Sequence, residues 1–227
     1  MGAPSGTALW SILHEDAKWD LATMSYNEWL DFIFQRSVKR DSDQAWYWQD
    51  EWEYKISDNG VVLDQLIRLF SNSIVLIEAY SEAQLEQGFW FLMGPAGFSD
   101  IAWDEKIDLR RRVGMVRAQA FIFRDLFAQH PLDTIVYMWW DLFESGYCCS
   151  KVPENADDAA IQEAILLTLG DILGMEPWHC VCSALHGLNH LGHPRVAEFI
   201  NYFLATKQGL DEDVISYALL CREGKAL

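Results

Sequence analysis

Residues Leu109 to Phe127 read LRRRVGMVRAQAFIFRDLF, and the placement of their apolar side chains decides the fold class. Leu109, Val113, Val116, Ala120, Phe123 and Phe127 fall at spacings of 4, 3, 4, 3 and 4, which puts all six on one face of an α-helix. Flanking signals extend the expected helix from about 104 to 129. Arg110, Arg117 and Arg124 recur at every seventh position and form a basic stripe along its flank. In a chain with 34 acidic residues, neighbouring carboxylates are their expected partners, ahead of a bound anion.

The same period recurs on both sides of this helix. Leu63, Leu66, Ile67, Phe70, Ile74 and Ile77 mark one upstream. Ser81, with Gln84 three residues on, then has the pattern of a capping box and opens another through Leu85, Phe89 and Leu92, which Gly94 and Pro95 stop. Downstream, Ile135, Trp139 and Leu142 mark a short helix, and Ile161, Ile165, Leu169 and Ile172 mark one after Asn155. Three more are expected at about 178–191, 194–206 and 211–222. Near the N-terminus, Ser25 and Glu28 form a second capping-box pattern, opening a helix to about Lys39. Asp58-Asn59-Gly60 reads as a turn between helical patterns, with no pair of β-branched runs to make it a hairpin. The expected fold is therefore all-α: an antiparallel helical stack in a single domain over 1–227, with 1–24 as an extended N-terminal segment.

Composition supplies the material for such a core and limits its partners. The chain is 51% apolar and 14% aromatic, with 11 tryptophans, so a large buried interior is available. Its net charge of −17 repels phosphate backbones and anionic lipid, which argues against nucleic-acid and membrane binding. The same charge suits a basic protein partner. Five cysteines, an odd number without Cys-x-x-Cys spacing, read as reduced core thiols. Met1 to Gly6 has neither the basic nor the apolar part of an export signal, and a cytoplasmic location is expected. Pro177 to Pro194 carries no Asp, Glu, Lys or Arg, but its four histidines, Asn189 and two glycines mark a buried helix and not a membrane span.

Two constellations stand out chemically. His179, Cys180, Cys182, His186, His190 and His193 lie close together, and Cys182, His186 and His190 are four apart on one helical face. That spacing lets side chains share a metal ion, with His193 reaching round the following turn as a fourth ligand. Against it, no glutamate base accompanies the pair, and His14 and His130 are isolated. Such residues between helices ordinarily serve as hydrogen-bonded core groups, so no resident metal or cofactor is expected; Cys182, His186, His190 and His193 are the ligands should one bind. No Walker loop, dinucleotide fingerprint, nucleophile elbow or His-Glu-x-x-His is present, and no enzymatic activity is expected. Cys148 and Cys149 are adjacent, where a disulfide is strained, and are read as packing residues.

The second constellation is acidic and aromatic. Trp46, Tyr47, Trp48 and Trp52 are interleaved with Asp41, Asp43, Asp50, Glu51 and Glu53. They read either as an aromatic face packing on the helical stack or as a partner-binding surface, where Trp and Tyr anchors are enriched. On the second reading, Trp46, Trp48, Asp50, Glu51, Trp52 and Glu53 are the expected contact residues.

The run from Ser183 to Val196, followed by Phe199, Ile200, Phe203 and Leu204, resembles a HEAT-like helical repeat over about 182–204. Gly192 can take the left-handed conformation that ends one helix, and Pro194 is preset for the start of the next. The resemblance implies a helical scaffold that binds other proteins. In size, acidity, aromatic content and fold type the chain is also similar to bacterial immunity proteins, which implies capture and neutralisation of one cognate, basic toxin. A metal-dependent helical enzyme built on His186 and His190, and a structural subunit of a larger assembly, are the alternatives.

Overall fold

Side-chain caps set where several of the helices begin. The computed structural model describes residues 18–38, 45–48, 53–132, 134–145 and 153–226; Asp50, Glu51, Trp52, His14, Cys148 and Cys149 lie outside them. A two-residue strand β1 (Trp19–Asp20) pairs in parallel with β2 (Tyr54–Lys55), Trp19 opposite Tyr54. Between them runs α1 (Tyr26–Phe34), opened by the expected reciprocal box in which Ser25 and Glu28 satisfy each other's backbone N–H groups. This helix stops at Phe34, short of Lys39. Arg36 leaves it to donate to the Phe32 carbonyl at 2.8 Å and to lie over the rings of Phe32 and Trp46.

The segment Asp58-Asn59-Gly60 is a helix start and not a turn between helices. The Asp58 carboxylate accepts from the N–H groups of Gly60 and Val61 and caps α2 (Asn59–Ser71). A 3-10 turn and the short α3 (Leu76–Ala79) lead to α4 (Glu82–Met93), whose Ser81–Gln84 capping box forms as expected. The central helix begins later than expected, because a 3-10 segment, Phe98–Trp103, precedes it and Asp108 supplies the cap. α5 (Leu109–Ile122) then continues through a π-helical turn, Phe123–Phe127. α6 (Ile135–Ser145), α7 (Ala156–Leu173), α8 (Trp178–Leu191), α9 (Val196–Thr206) and α10 (Glu212–Arg222) complete an all-α chain.

One continuous core runs from Leu21 to Ala226. α5 packs between α2 and α7, and α8 packs on α6, α7 and α10. At the centre, Trp139 meets Phe70, Phe89, Phe123 and Phe127 at ring separations of 5.2 to 6.1 Å, and its indole N–H donates to Gln119 at 2.7 Å. The π turn thus presents Phe123 and Phe127 to the same tryptophan.

The arginines of α5 divide by depth. Arg117 reaches Thr168 and Asp171 on α7, Arg124 pairs with its neighbour Asp125, and Arg110 has no such ion pair among the described residues. The buried one lies off the expected stripe: Arg112, 2% exposed, bonds the Ile107 carbonyl and the Asp157 carboxylate at the start of α7. No single helix among the described residues is long and apolar enough to cross a membrane.

Candidate functional site

α6 and α8 approach closely because Gly187 has no side chain. A Cβ there would stand 2.8 Å from Trp140 Cγ on α6 and 2.8 Å from Leu169 Cδ2 on α7. Beside this contact Ser183 donates to the Val136 carbonyl at 2.6 Å, locking the register of the two helices. The start of α6 is held from outside: one carboxylate oxygen of Glu86 accepts from the N–H groups of Thr134 and Ile135 and from the Thr134 hydroxyl, at 2.9 to 3.0 Å.

This rigid pairing carries a polar cluster. Asp141, on α6, faces His186 and His190, one helical turn apart on α8. Its two oxygens lie 2.9 Å from His186 Nε2 and 3.3 Å from His190 Nε2. The other nitrogen of His186, Nδ1, is 3.0 Å from the hydroxyl of Tyr137 and 3.3 Å from that of Tyr217 on α10. His186 is almost wholly buried, whereas the His190 side chain is 41% exposed, so the cluster runs from the core to the surface. Burial and the Tyr137 hydroxyl push the Tyr217 phenol far above its ordinary range. Burial also pushes the Cys221 thiol up to about 12 and raises Cys182, leaving both as neutral thiols near pH 7.

The structure therefore regroups the ligands read from the sequence. His186 and His190 come together, as the four-residue spacing expects. His193 does not join them: beyond Gly192, in the left-handed region at φ 61°, it turns to Glu163 on α7 at 3.3 Å. Cys182 is one turn before His186, and among the described residues the close group of potential ligand atoms is Asp141, His186 and His190. His179 is engaged elsewhere: its Nε2–H donates to the Phe127 carbonyl at 2.7 Å, closing the end of the π turn. Asp141 was missed in the sequence although it leaves a signal: it is the lone charge in Ile135–Phe143, IVYMWWDLF.

The acidic aromatic segment divides as sharply. Trp46 is 5% exposed and packs on Phe91 at 4.6 Å and edge-on to Phe32 at 5.8 Å, within the core. Trp48, two residues on, is 60% exposed, and Glu53 is exposed. Elsewhere Tyr202 on α9 and Trp178 at the start of α8 also stand out into solvent.

Comparison with protein-family models, curated proteins and solved structures gave no match.

Proposed function

We propose that this chain is a stoichiometric protein-binding domain, most concretely one of immunity type that captures and neutralises a basic toxin. The observation that carries the reading is the way its positive charge is spent internally. Arg111 faces Asp64, Arg112 faces Asp157, Arg117 faces Asp171, Arg195 faces Glu163 and Glu198, and Lys207 faces Glu176. With 17 basic against 34 acidic residues, the field left for a partner is negative. Exposed aromatic rings such as Trp48 and Tyr202 add the anchors that protein interfaces favour.

The HEAT-like arrangement belongs to the same proposal. Next-but-one pairing of α5 with α7 and of α6 with α8 is what two layers of stacked helices produce, and Gly192 ends α8 with the backbone that the resemblance implies. Binding, and not catalysis, is the role assigned to this stack. The test is capture with tagged chain from lysate of its native source, followed by reconstitution from purified components. A basic protein forming a one-to-one complex, weakened when Asp50, Glu51 and Glu53 are replaced by Lys, supports the reading. An acidic partner, or unchanged affinity after charge reversal, overturns it.

A further inference from the structure

We propose that Asp141, His186 and His190 form a three-ligand site for a divalent zinc ion, open to solvent at its fourth position. The inference is independent of the binding role above. It starts from convergence: two imidazole nitrogens from consecutive turns of α8 meet the two oxygens of one carboxylate from α6. A buried histidine needs one acceptor, and Asp141 provides it for His186. His190, being 41% exposed, has water available, so core satisfaction gives no reason for it to turn toward the same carboxylate.

The spacing is within a side-chain adjustment of a tetrahedral site. Ligands about 2.0 to 2.2 Å from zinc are separated from one another by about 3.3 Å along the edges of the tetrahedron. His186 Nε2 is 2.9 Å from one Asp141 oxygen and His190 Nε2 is 3.3 Å from the other, and one ligand atom from each residue lies within 4.8 Å of the others, so an inward turn of the partly exposed His190 ring brings the three onto one ion. Two imidazoles and a carboxylate are a borderline donor set that suits zinc better than a hard, all-oxygen cation.

The surroundings are those a metal-bound imidazole requires. When Nε2 of His186 takes the metal, Nδ1 carries the proton and must donate it. The Tyr137 and Tyr217 hydroxyls stand 3.0 and 3.3 Å away, and a hydroxyl accepts or donates by rotation, so the same groups serve the metal-bound and metal-free tautomers. Gly187 and the Ser183–Val136 bond fix the two helices that carry the ligands. When the ion binds, the ring proton that faces Asp141 is relocated to Nδ1, with no net loss from a neutral imidazole, and the exposed edge at His190 is the route by which the ion enters.

The experiment is a zinc titration of the purified full chain, stripped with a chelator and dialysed, read by calorimetry and by a competing chromophoric chelator. Wild type is expected to bind one equivalent. His190→Ala, at an exposed position, should keep the circular dichroism spectrum and weaken zinc by more than about 100-fold, since a lost ligand exceeds the ~10- to 100-fold loss of a second-shell partner. Asp141→Asn should do likewise, and Tyr217→Phe should cost about 10-fold. His193→Ala, at the histidine that faces Glu163, should bind as wild type does. Zinc held equally well by wild type and His190→Ala, the absence of a one-to-one isotherm in wild type, or an equal loss in His193→Ala overturns the assignment.

Discussion

Asp141 and His186 are 45 residues apart in the chain and 2.9 Å apart in space, joined across the α6–α8 interface beside Gly187. The contact depends on the backbones staying close. Gly187→Ala would drive a methyl to within 3 Å of both Trp140 and Leu169, and overpacking of this kind costs about 1–3 kcal/mol. The midpoint of urea unfolding should fall accordingly, and zinc binding should weaken with it. An unchanged midpoint would mean that the interface yields freely.

Arg112 and Asp157 make an asymmetric pair, with the guanidinium 2% exposed and the carboxylate 41% exposed. Removing the carboxylate strands a buried cation, for which about 3–5 kcal/mol is the usual cost in a fully buried pair. Arg112→Met instead leaves a carboxylate that water can reach. Asp157→Ala is therefore expected to destabilise more than Arg112→Met, and paired denaturant titrations check the order.

Trp46 and Trp48 separate stability from binding. Trp46→Ala empties a core position and should cost about 3–5 kcal/mol. Trp48→Ala should leave stability within about 0.5 kcal/mol and weaken partner affinity. Loss of stability at Trp48, or none at Trp46, would contradict the burial described above.

His193 supplies a pH signature. Burial lowers its pKa below 6.5, outweighing the opposing attraction of Glu163. The folded state thus favours the neutral ring, so its contribution is present above pH 6.5 and is lost as the pH falls through the lowered folded-state value. Unfolding free energies of wild type and His193→Gln, measured in parallel from pH 7.5 downward, should converge on acidification or cross. A difference that grows toward acid would reverse the sign and refute the assignment.

Much of the fold was legible because it is local. The Ser25–Glu28 and Ser81–Gln84 boxes, the helix over 178–191 and its left-handed stop at Gly192 are each written within a few residues. Asp58 shows how a local signal misleads: the residues that make a turn also make an N-cap, and only the donors from Gly60 and Val61 decide which. The pairing of β1 with β2 escaped because two residues cannot show alternation. At the site, the periodicity brought His186 and His190 to one face of a helix. It could not reveal Asp141 or Tyr217, which other helices supply, or send His193 to Glu163, which follows from the turn at Gly192.

Capture of a basic protein by a negative helical surface would show itself in the ionic-strength dependence of the reconstituted complex. One-to-one binding is expected, with an association rate and affinity that fall steeply as salt rises, because the attraction acts between exposed charges over about a Debye length. Affinity and association rate that stay constant from low to high salt would contradict it.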